Sequence, residues 1–123
     1  EKYNINASQH LFFNQYQYIT SLLAFIVLPK EKVFIELPNL KISDMPEKWG
    51  IVNKGDFELK YFIRRLRNSI SHGNISVSKN MMFYFEDKNL KDTSDIFTVV
   101  FKESELRAFV HAFAWWIMTR QIE

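Results

Sequence analysis

The chain has 123 residues, of which 47% are hydrophobic, and it carries a formal net charge of +2. This length and apolar content predict one globular domain over residues 1–123 and argue against a disordered or low-complexity protein. The absence of Cys excludes disulfides, thiolate metal ligands and Cys nucleophiles, and it favours a cytoplasmic location.

The first predicted element is a helix over residues 8–28, which Pro29 ends. Its second half is apolar on nearly every side, so it is either a central core helix or a helix that also faces a second subunit. The densest apolar run, residues 19–28, is shorter than the roughly 20 residues that cross a bilayer, so we expect no membrane span.

Residues 30–54 carry weaker signals. Residues 33–35 are compatible with a short extended piece. Ser43 can cap a short helix that reaches Trp49 before Gly50 ends it. This segment shows no pattern that points to chemistry.

A second long helix is predicted from Asp56, as its N-cap, to His72, with Gly73 as its C-terminal stop. Its apolar stripe consists of Leu59, Ile63, Leu66 and Ile70. The opposite face combines polar, basic and aromatic side chains, namely Phe57, Lys60, Tyr61, Arg64, Arg67, Asn68, Ser71 and His72. Because aromatic rings among charges indicate contact with another surface, we expect Phe57 and Tyr61 to lie in a dimer interface.

Lys60 and Arg64, with the neighbouring hydroxyl of Ser71, are candidate RNA-binding residues on this face. An ordinary solvated face explains the same residues about as well. On a regular helix Arg65 points away from Lys60 and Arg64, so we leave Arg65 outside this basic cluster.

Alternating and β-branched residues then predict an antiparallel ribbon of two or three strands over residues 75–78, 81–86 and 96–101. The polar stretch over residues 87–95 is predicted to be a solvated connection between the last two strands. The aspartates in it lack the spacing of a calcium-binding loop, and no second ligand lies one helical turn from any lone His. We therefore expect no metal and no other cofactor.

A last helix is predicted from Ser104, as its cap, to about Gln121. The expected fold class is therefore α+β and mainly α, with a small antiparallel β-ribbon inserted before the last helix.

Arg67 and His72 stand five positions apart near the end of the second long helix, and Asn68 lies between them. Cleaving RNA without a metal requires proton removal from a 2′-hydroxyl, protonation of the leaving 5′-oxygen and stabilisation of a charged phosphate. Histidine suits the proton transfers, arginine suits the phosphate, and Asn68 can orient either group. On a regular helix Arg67 and His72 point about 140° apart, so one chain supplies half a site and we expect a homodimer.

The segment Arg67-Asn68-Ser69-Ile70-Ser71-His72 resembles the Arg-x4-to-6-His motif of the HEPN superfamily, whose members often carry a polar residue directly after the Arg. The Ser-His-Gly-Asn ending, followed by a ribbon and a helix, resembles a plasmid- and phage-defence-associated branch. The resemblance implies a HEPN-like helical bundle, homodimers whose motif helices meet, and metal-independent endoribonuclease activity in toxin or defence systems. By motif position, Arg67 and His72 would be the catalytic pair and Asn68 the supporting polar residue.

Some HEPN toxins carry a Tyr two positions after the His, which their antitoxin modifies. Asn74 occupies that position here, which argues against this route of neutralisation but leaves another antitoxin or regulatory partner open. The alternatives are a non-catalytic HEPN module that binds RNA or protein, and a structural dimerisation domain. An enzyme should expose Arg67 and His72 in a cleft, whereas a structural motif should bury them in hydrogen bonds within one chain.

Overall fold

The computed structural model describes residues 31–122. The elements in that part of the chain are α1 (Glu31–Ile35), 3-10 turns at Ile42–Asp44 and Glu47–Trp49, α2 (Leu59–Ser71), β1 (Ile75–Val77), β2 (Met82–Asn89), β3 (Asp92–Lys102) and α3 (Glu103–Thr119). The chain is α+β, as expected. The predicted first helix over residues 8–28 lies outside the described residues. Among the helices described here, none has the length and apolarity that a membrane crossing requires.

The three strands form one antiparallel sheet in the order β1-β2-β3. Side chains alternate between its two faces, so β2 turns Phe83, Phe85 and Asp87 toward the helices. The ribbon prediction placed residues 87–95 in a solvated connection, and this was wrong. The strands continue to Asn89 and Asp92. Only a two-residue turn separates them, because cross-strand pairing continues beyond the apolar residues.

Phe62 lies where α2, β3 and α3 meet. Its ring centroid is 5.7 Å from that of Phe97, 6.3 Å from Phe101 and 6.1 Å from Phe109, all in edge-on geometry. Such aromatic pairs stabilise beyond the apolar area that they bury. One side chain therefore fixes α2 against both β3 and α3.

The helix predicted from Asp56 to His72 is present as α2, but Asp56 is not its N-cap. The preceding chain forms a β-bridge between Lys41 and Glu58, which keeps the backbone extended until Leu59. Asp56 instead pairs with Lys41, whose Nζ lies 3.2 Å from Asp56 Oδ1. This tertiary pairing takes precedence over the local capping preference of Asp56.

Two further boundaries differ from the sequence predictions. Residues 33–35 belong to α1 and are not extended. Ser104 is the second residue of α3 and not its cap, because β3 runs directly into the helix. The exposed N–H of Lys102 is satisfied by the carboxylate of Glu105 at 2.8 Å. Gly50 does end the second 3-10 turn, with a left-handed φ of 71°.

Candidate functional site

One face of α2 and the tip of the β2–β3 hairpin form the two walls of a groove of about 480 Å³. The α2 wall consists of Tyr61, Arg64, Asn68 and His72, and the hairpin wall consists of Lys88, Asn89, Leu90 and Lys91. Arg65, Asp87 and Asp95 line the floor between them. The α2 residues recur every three or four positions, which is the spacing that brings side chains to one helix face. We call this feature the α2–hairpin groove.

The floor of the α2–hairpin groove is a network centred on Arg65, which is only 6% exposed. Its Nε donates to Asp87 Oδ2 at 2.6 Å, and its Nη1 donates to Asp95 Oδ1 and to Tyr61 Oη, both at 2.9 Å. Its Nη2 also donates to the backbone oxygen of Asp87 at 2.7 Å. The hydrogen bonds of one cation thus satisfy two carboxylates, one of which is nearly fully buried.

These contacts shift the acid–base equilibria of the network. Burial by itself lowers the pKa of Arg65, but its hydrogen bonds to Asp95 and Asp87 and the proximity of Tyr61 outweigh burial and raise that pKa. Hydrogen bonds from Arg65 and from Asn89 hold the pKa of Asp95 below its ordinary value. Arg65 and Asp95 are therefore both charged at neutral pH.

Asn68 is attached to this network by its side chain. Its Nδ2 donates to Asp87 Oδ2 at 3.3 Å. Because an ionised carboxylate only accepts hydrogen bonds, the amide NH₂ must face Asp87 and the carbonyl Oδ1 must face away from it. The Asn of the motif therefore turns its carbonyl oxygen, a hydrogen-bond acceptor, away from Asp87.

His72 is exposed and caps the C-terminus of α2. Its backbone N–H donates to the oxygen of Asn68 at 3.0 Å, and the following Gly73 takes a left-handed φ of 70°. The buried Ser69 holds this helix end, since its Oγ donates to the backbone oxygen of Asn74 at 3.0 Å. That oxygen also accepts from the backbone N–H of Glu86 at 3.1 Å, which ties the end of α2 to β2.

Arg67 lies in different surroundings from His72. Its guanidinium carbon is 5.0 Å from the ring centroid of Phe34 in α1, and the side chain is partly buried. Arg67 is not among the residues that line the α2–hairpin groove. Within the described chain, the structure therefore brings His72, Asn68 and Arg64 together and leaves Arg67 on another side of α2.

The other candidate residues of α2 do not all line the groove. Arg64 is exposed in the groove wall, whereas the partly buried Lys60 and the exposed Ser71 lie outside it. Tyr61 lines the groove, but its ring stacks on Phe57 with 5.5 Å between centroids.

Both of these aromatic rings pack against the core through Phe97, with centroids 5.3 Å from Phe57 and 6.2 Å from Tyr61. Contacts within the chain thus account for much of their surface. Their role in a dimer interface stays a prediction.

Sequence reasoning missed the floor of the groove and its hairpin wall. Regular helix geometry points Arg65 away from the basic cluster, and the polar stretch that holds Asp87 and Asp95 predicts a solvated connection. Two signals could have identified the pair. Arg65 shares a helix face with Phe62 and Ser69, both fully buried. Asp87 continues the inward alternation of Phe83 and Phe85. Arg65 and Asp87 thus each place a charge on the inner face of their element, and a buried charge requires a partner.

No three His, Asp or Glu side chains in residues 31–122 are grouped so that they could coordinate an ion. The acidic side chains of the groove floor are already hydrogen-bonded to Arg65.

A protein-family model described as HEPN pEK499 p136 matches residues 1–123, the whole of the chain. Comparisons with curated proteins and with solved structures give no match. The match covers the Arg67–His72 motif, the groove beside it and every element described above. The chain therefore belongs to the HEPN pEK499 p136 family.

Proposed function

We propose that this protein is a metal-independent endoribonuclease of the HEPN type that acts as a homodimer. The observation that carries the proposal is the position of His72, exposed at the end of α2 in a groove that also holds Arg64 and Asn68. An imidazole that solvent can reach, beside a cation and a fixed acceptor, has the groups that phosphoryl transfer to a 2′-hydroxyl needs.

In the proposed reaction the 2′-oxygen attacks the adjacent phosphorus, and the bond from phosphorus to the 5′-oxygen breaks. The imidazole of His72 takes the 2′-hydroxyl proton, and the leaving 5′-oxygen receives a proton from an imidazolium. The products are a 2′,3′-cyclic phosphate and a free 5′-hydroxyl. Asn68 Oδ1 accepts the hydrogen bond that orients the 2′-hydroxyl, because Asp87 fixes its amide in that sense.

The separation of Arg67 from His72 supports a composite site. A second copy of α2, related by twofold symmetry, can bring its own Arg67 toward the phosphate beside His72. We propose that the motif helices meet in this way, in a helical bundle, with Phe57 and Tyr61 at the edge of the interface. A cytoplasmic toxin or phage-defence setting follows from the same proposal.

A second candidate is a non-catalytic HEPN module that binds RNA or protein. It is supported by the contacts that two motif residues make within one chain, since Asn68 donates to Asp87 and Arg67 lies over Phe34. The motif residues therefore support different candidates. His72 is exposed, as an enzyme requires, whereas Asn68 and Arg67 have partners in their own chain, as a structural motif requires.

The deciding experiment incubates the purified protein with mixed RNA in EDTA, beside His72→Ala and a matched control, His111→Ala. His111 is exposed on α3 and lies outside the groove. We expect cleavage by the wild type and the control, loss in His72→Ala, and products that end in cyclic phosphate. Equal cleavage by all three proteins, or no cleavage of any RNA, would reject the enzyme and favour the binding module.

A further inference from the structure

We propose that the α2–hairpin groove binds a single strand of RNA, with Lys88 and Lys91 of the hairpin wall as phosphate contacts. The identity of the ligand as RNA rests on the function proposed above, whereas the role of the hairpin rests on the groove itself. The hairpin residues lie outside the motif, and neither lysine belongs to the basic cluster indicated by the sequence.

The charges of the groove are arranged in layers. The floor holds Asp87 and Asp95, and Arg65 lies between them. The walls hold Arg64 and His72 on the helix side, and Lys88 and Lys91 on the hairpin side. Lys88 is exposed, and its Nζ lies 4.0 Å from Glu86 Oε1, which is the outer limit of an ion pair. So weak a contact leaves the ammonium of Lys88 available to solvent and ligands.

This layering favours a strand over an isolated anion. A phosphate on the floor would meet the carboxylates, so phosphates are expected along the cationic walls. The floor offers hydrogen-bond acceptors, Asn68 Oδ1 and the partly exposed carboxylate of Asp95. These suit the 2′-hydroxyl of a ribose and the amino groups of bases, which donate.

The lip of the groove also suits unpaired bases. Leu90, at the hairpin turn, is 90% exposed and gives an apolar surface against which a base can pack. In a duplex the bases are stacked and paired, so neither Leu90 nor the acceptor floor would reach them. A strand held here passes His72 on the opposite wall, which places its backbone next to the proposed proton acceptor.

The test measures fluorescence anisotropy of a labelled, unstructured RNA of about ten nucleotides, a length within the range of single-strand sites. All proteins carry His72→Ala, so that the RNA stays intact, and EDTA is present. The test variant adds Lys88→Ala and Lys91→Ala. The matched control adds Lys79→Ala and Lys102→Ala, which remove the same charge from exposed residues outside the groove.

The readout is the slope of log affinity against log salt concentration. Each lost phosphate contact on a single strand lowers the slope by about 0.7, so we expect the test variant to lose about 1.4 and the control to lose nothing. Adding Lys88→Arg and Lys91→Arg in place of the alanines should keep the slope. Equal losses in test and control would overturn the inference, and so would an absence of RNA binding.

Two further arms test the class of ligand. The same sequence as a duplex should bind more weakly, and tighter duplex binding would reject the single-strand assignment. Polyglutamate of matched charge should compete poorly, and competition equal to that of RNA would make the groove a general polyanion site. RNA binding that depends on Lys88 and Lys91, without cleavage by the wild type, would reject the enzyme and leave the groove assignment standing.

Discussion

The Nε atom of Arg65 lies 2.6 Å from the Oδ2 atom of Asp87, and this ion pair joins α2 to β2 beneath the motif. The same Oδ2 atom lies 3.3 Å from Nδ2 of Asn68. The buried carboxylate of Asp87 thus has two roles: it stabilises the fold through Arg65, and it orients the side chain of Asn68. The consequences for the two roles can be measured separately.

Arg65→Ala should destabilise the protein by about 3–5 kcal/mol, because it leaves Asp87 buried without a counter-charge. The adjacent Arg64 is exposed, so Arg64→Ala should change the free energy of unfolding by less than about 0.5 kcal/mol. Urea unfolding monitored by tryptophan fluorescence gives both values. Similar losses in the two variants would contradict the assignment of Arg65 to the groove floor.

Asp87→Asn and Asp95→Asn form a matched pair, because each removes one carboxylate partner of Arg65 but only Asp87 contacts Asn68. With an amide at position 87, the side chain of Asn68 is free to reverse. We expect kcat for RNA cleavage to fall about tenfold in Asp87→Asn, the equivalent of one hydrogen bond, with KM little changed. Asp95→Asn removes an acceptor of the groove floor, so it should raise KM, but it should keep kcat within about twofold because Asp95 does not contact Asn68. Equal losses of kcat in the two variants would show that only general stability matters.

A composite site predicts complementation between inactive variants. A mixture of Arg67→Ala and His72→Ala, unfolded and refolded together, forms heterodimers in which one site keeps an Arg from one chain and a His from the other. Since half of the dimers are mixed and each has one such site, about one quarter of wild-type activity should return. Recovery close to zero would place both groups of a site on one chain. Full activity of Arg67→Ala alone would assign the phosphate to Arg64.

Gly50 and Gly73 predict different costs for the same substitution. Both have a left-handed φ, which costs an Ala residue about 1–2 kcal/mol. A Cβ at Gly50 would also lie 2.8 Å from the backbone oxygen of Glu105, whereas a Cβ at Gly73 meets nothing within 4 Å. Gly50→Ala should therefore destabilise by at least about 1 kcal/mol more than Gly73→Ala in thermal or urea unfolding. An equal loss of stability in the two variants would mean that α3 shifts to make room for the added methyl group.

Acid should weaken the contact between Lys54 and Glu105, whose Nζ and Oε1 atoms are 2.8 Å apart. Burial raises the pKa of Glu105, but the hydrogen bond from Lys54 and the backbone N–H of Lys102 outweigh burial and lower that pKa. Since the folded pKa is depressed, the stabilisation is present above the unfolded pKa of about 4.3 and is lost as pH falls through the folded value.

Glu105→Gln should therefore lose stability at neutral pH and show a smaller further loss between about pH 5 and pH 3 than the wild type. The measurement is the urea midpoint across that range. Glu47→Gln, at an exposed residue of the second 3-10 turn, is the control and should follow the wild-type curve. If the urea midpoints of all three proteins fell in parallel, Glu105 would not contribute to the loss of stability in acid.

The sequence predicts the helix that carries the motif and the strands after it, because their apolar residues repeat at helical and strand spacing. It fails where distant segments pair. The start of α2 depends on a bridge between Lys41 and Glu58, and no local pattern encodes that bridge. The inward position of Arg65 depends on Asp87, 22 residues further along the chain. Periodicity assigns each residue to a face, but only the folded chain shows that the two charged faces meet.

The candidate site was predictable to a similar extent. Helical geometry alone separates Arg67 from His72, and the structure gives them different neighbours. The hairpin wall was not predictable, because Lys88 and Lys91 read as ordinary charges of a polar turn until the hairpin is folded beside α2. The sequence predicts Phe57 and Tyr61 in a dimer interface, and it does not reveal Phe97 as their partner within the chain.

The ion pair between Arg65 and Asp87 also bears on how the family can diverge. A substitution at either position alone leaves a buried charge, whereas replacing both with apolar residues of similar size can be neutral for stability. Relatives that lose Arg65 should therefore have lost Asp87 as well, and the intermediate with one partner should be rare. In lineages where both are gone, Asn68 loses the carboxylate that orients it, so those proteins should either replace the Asn or bind without cleaving.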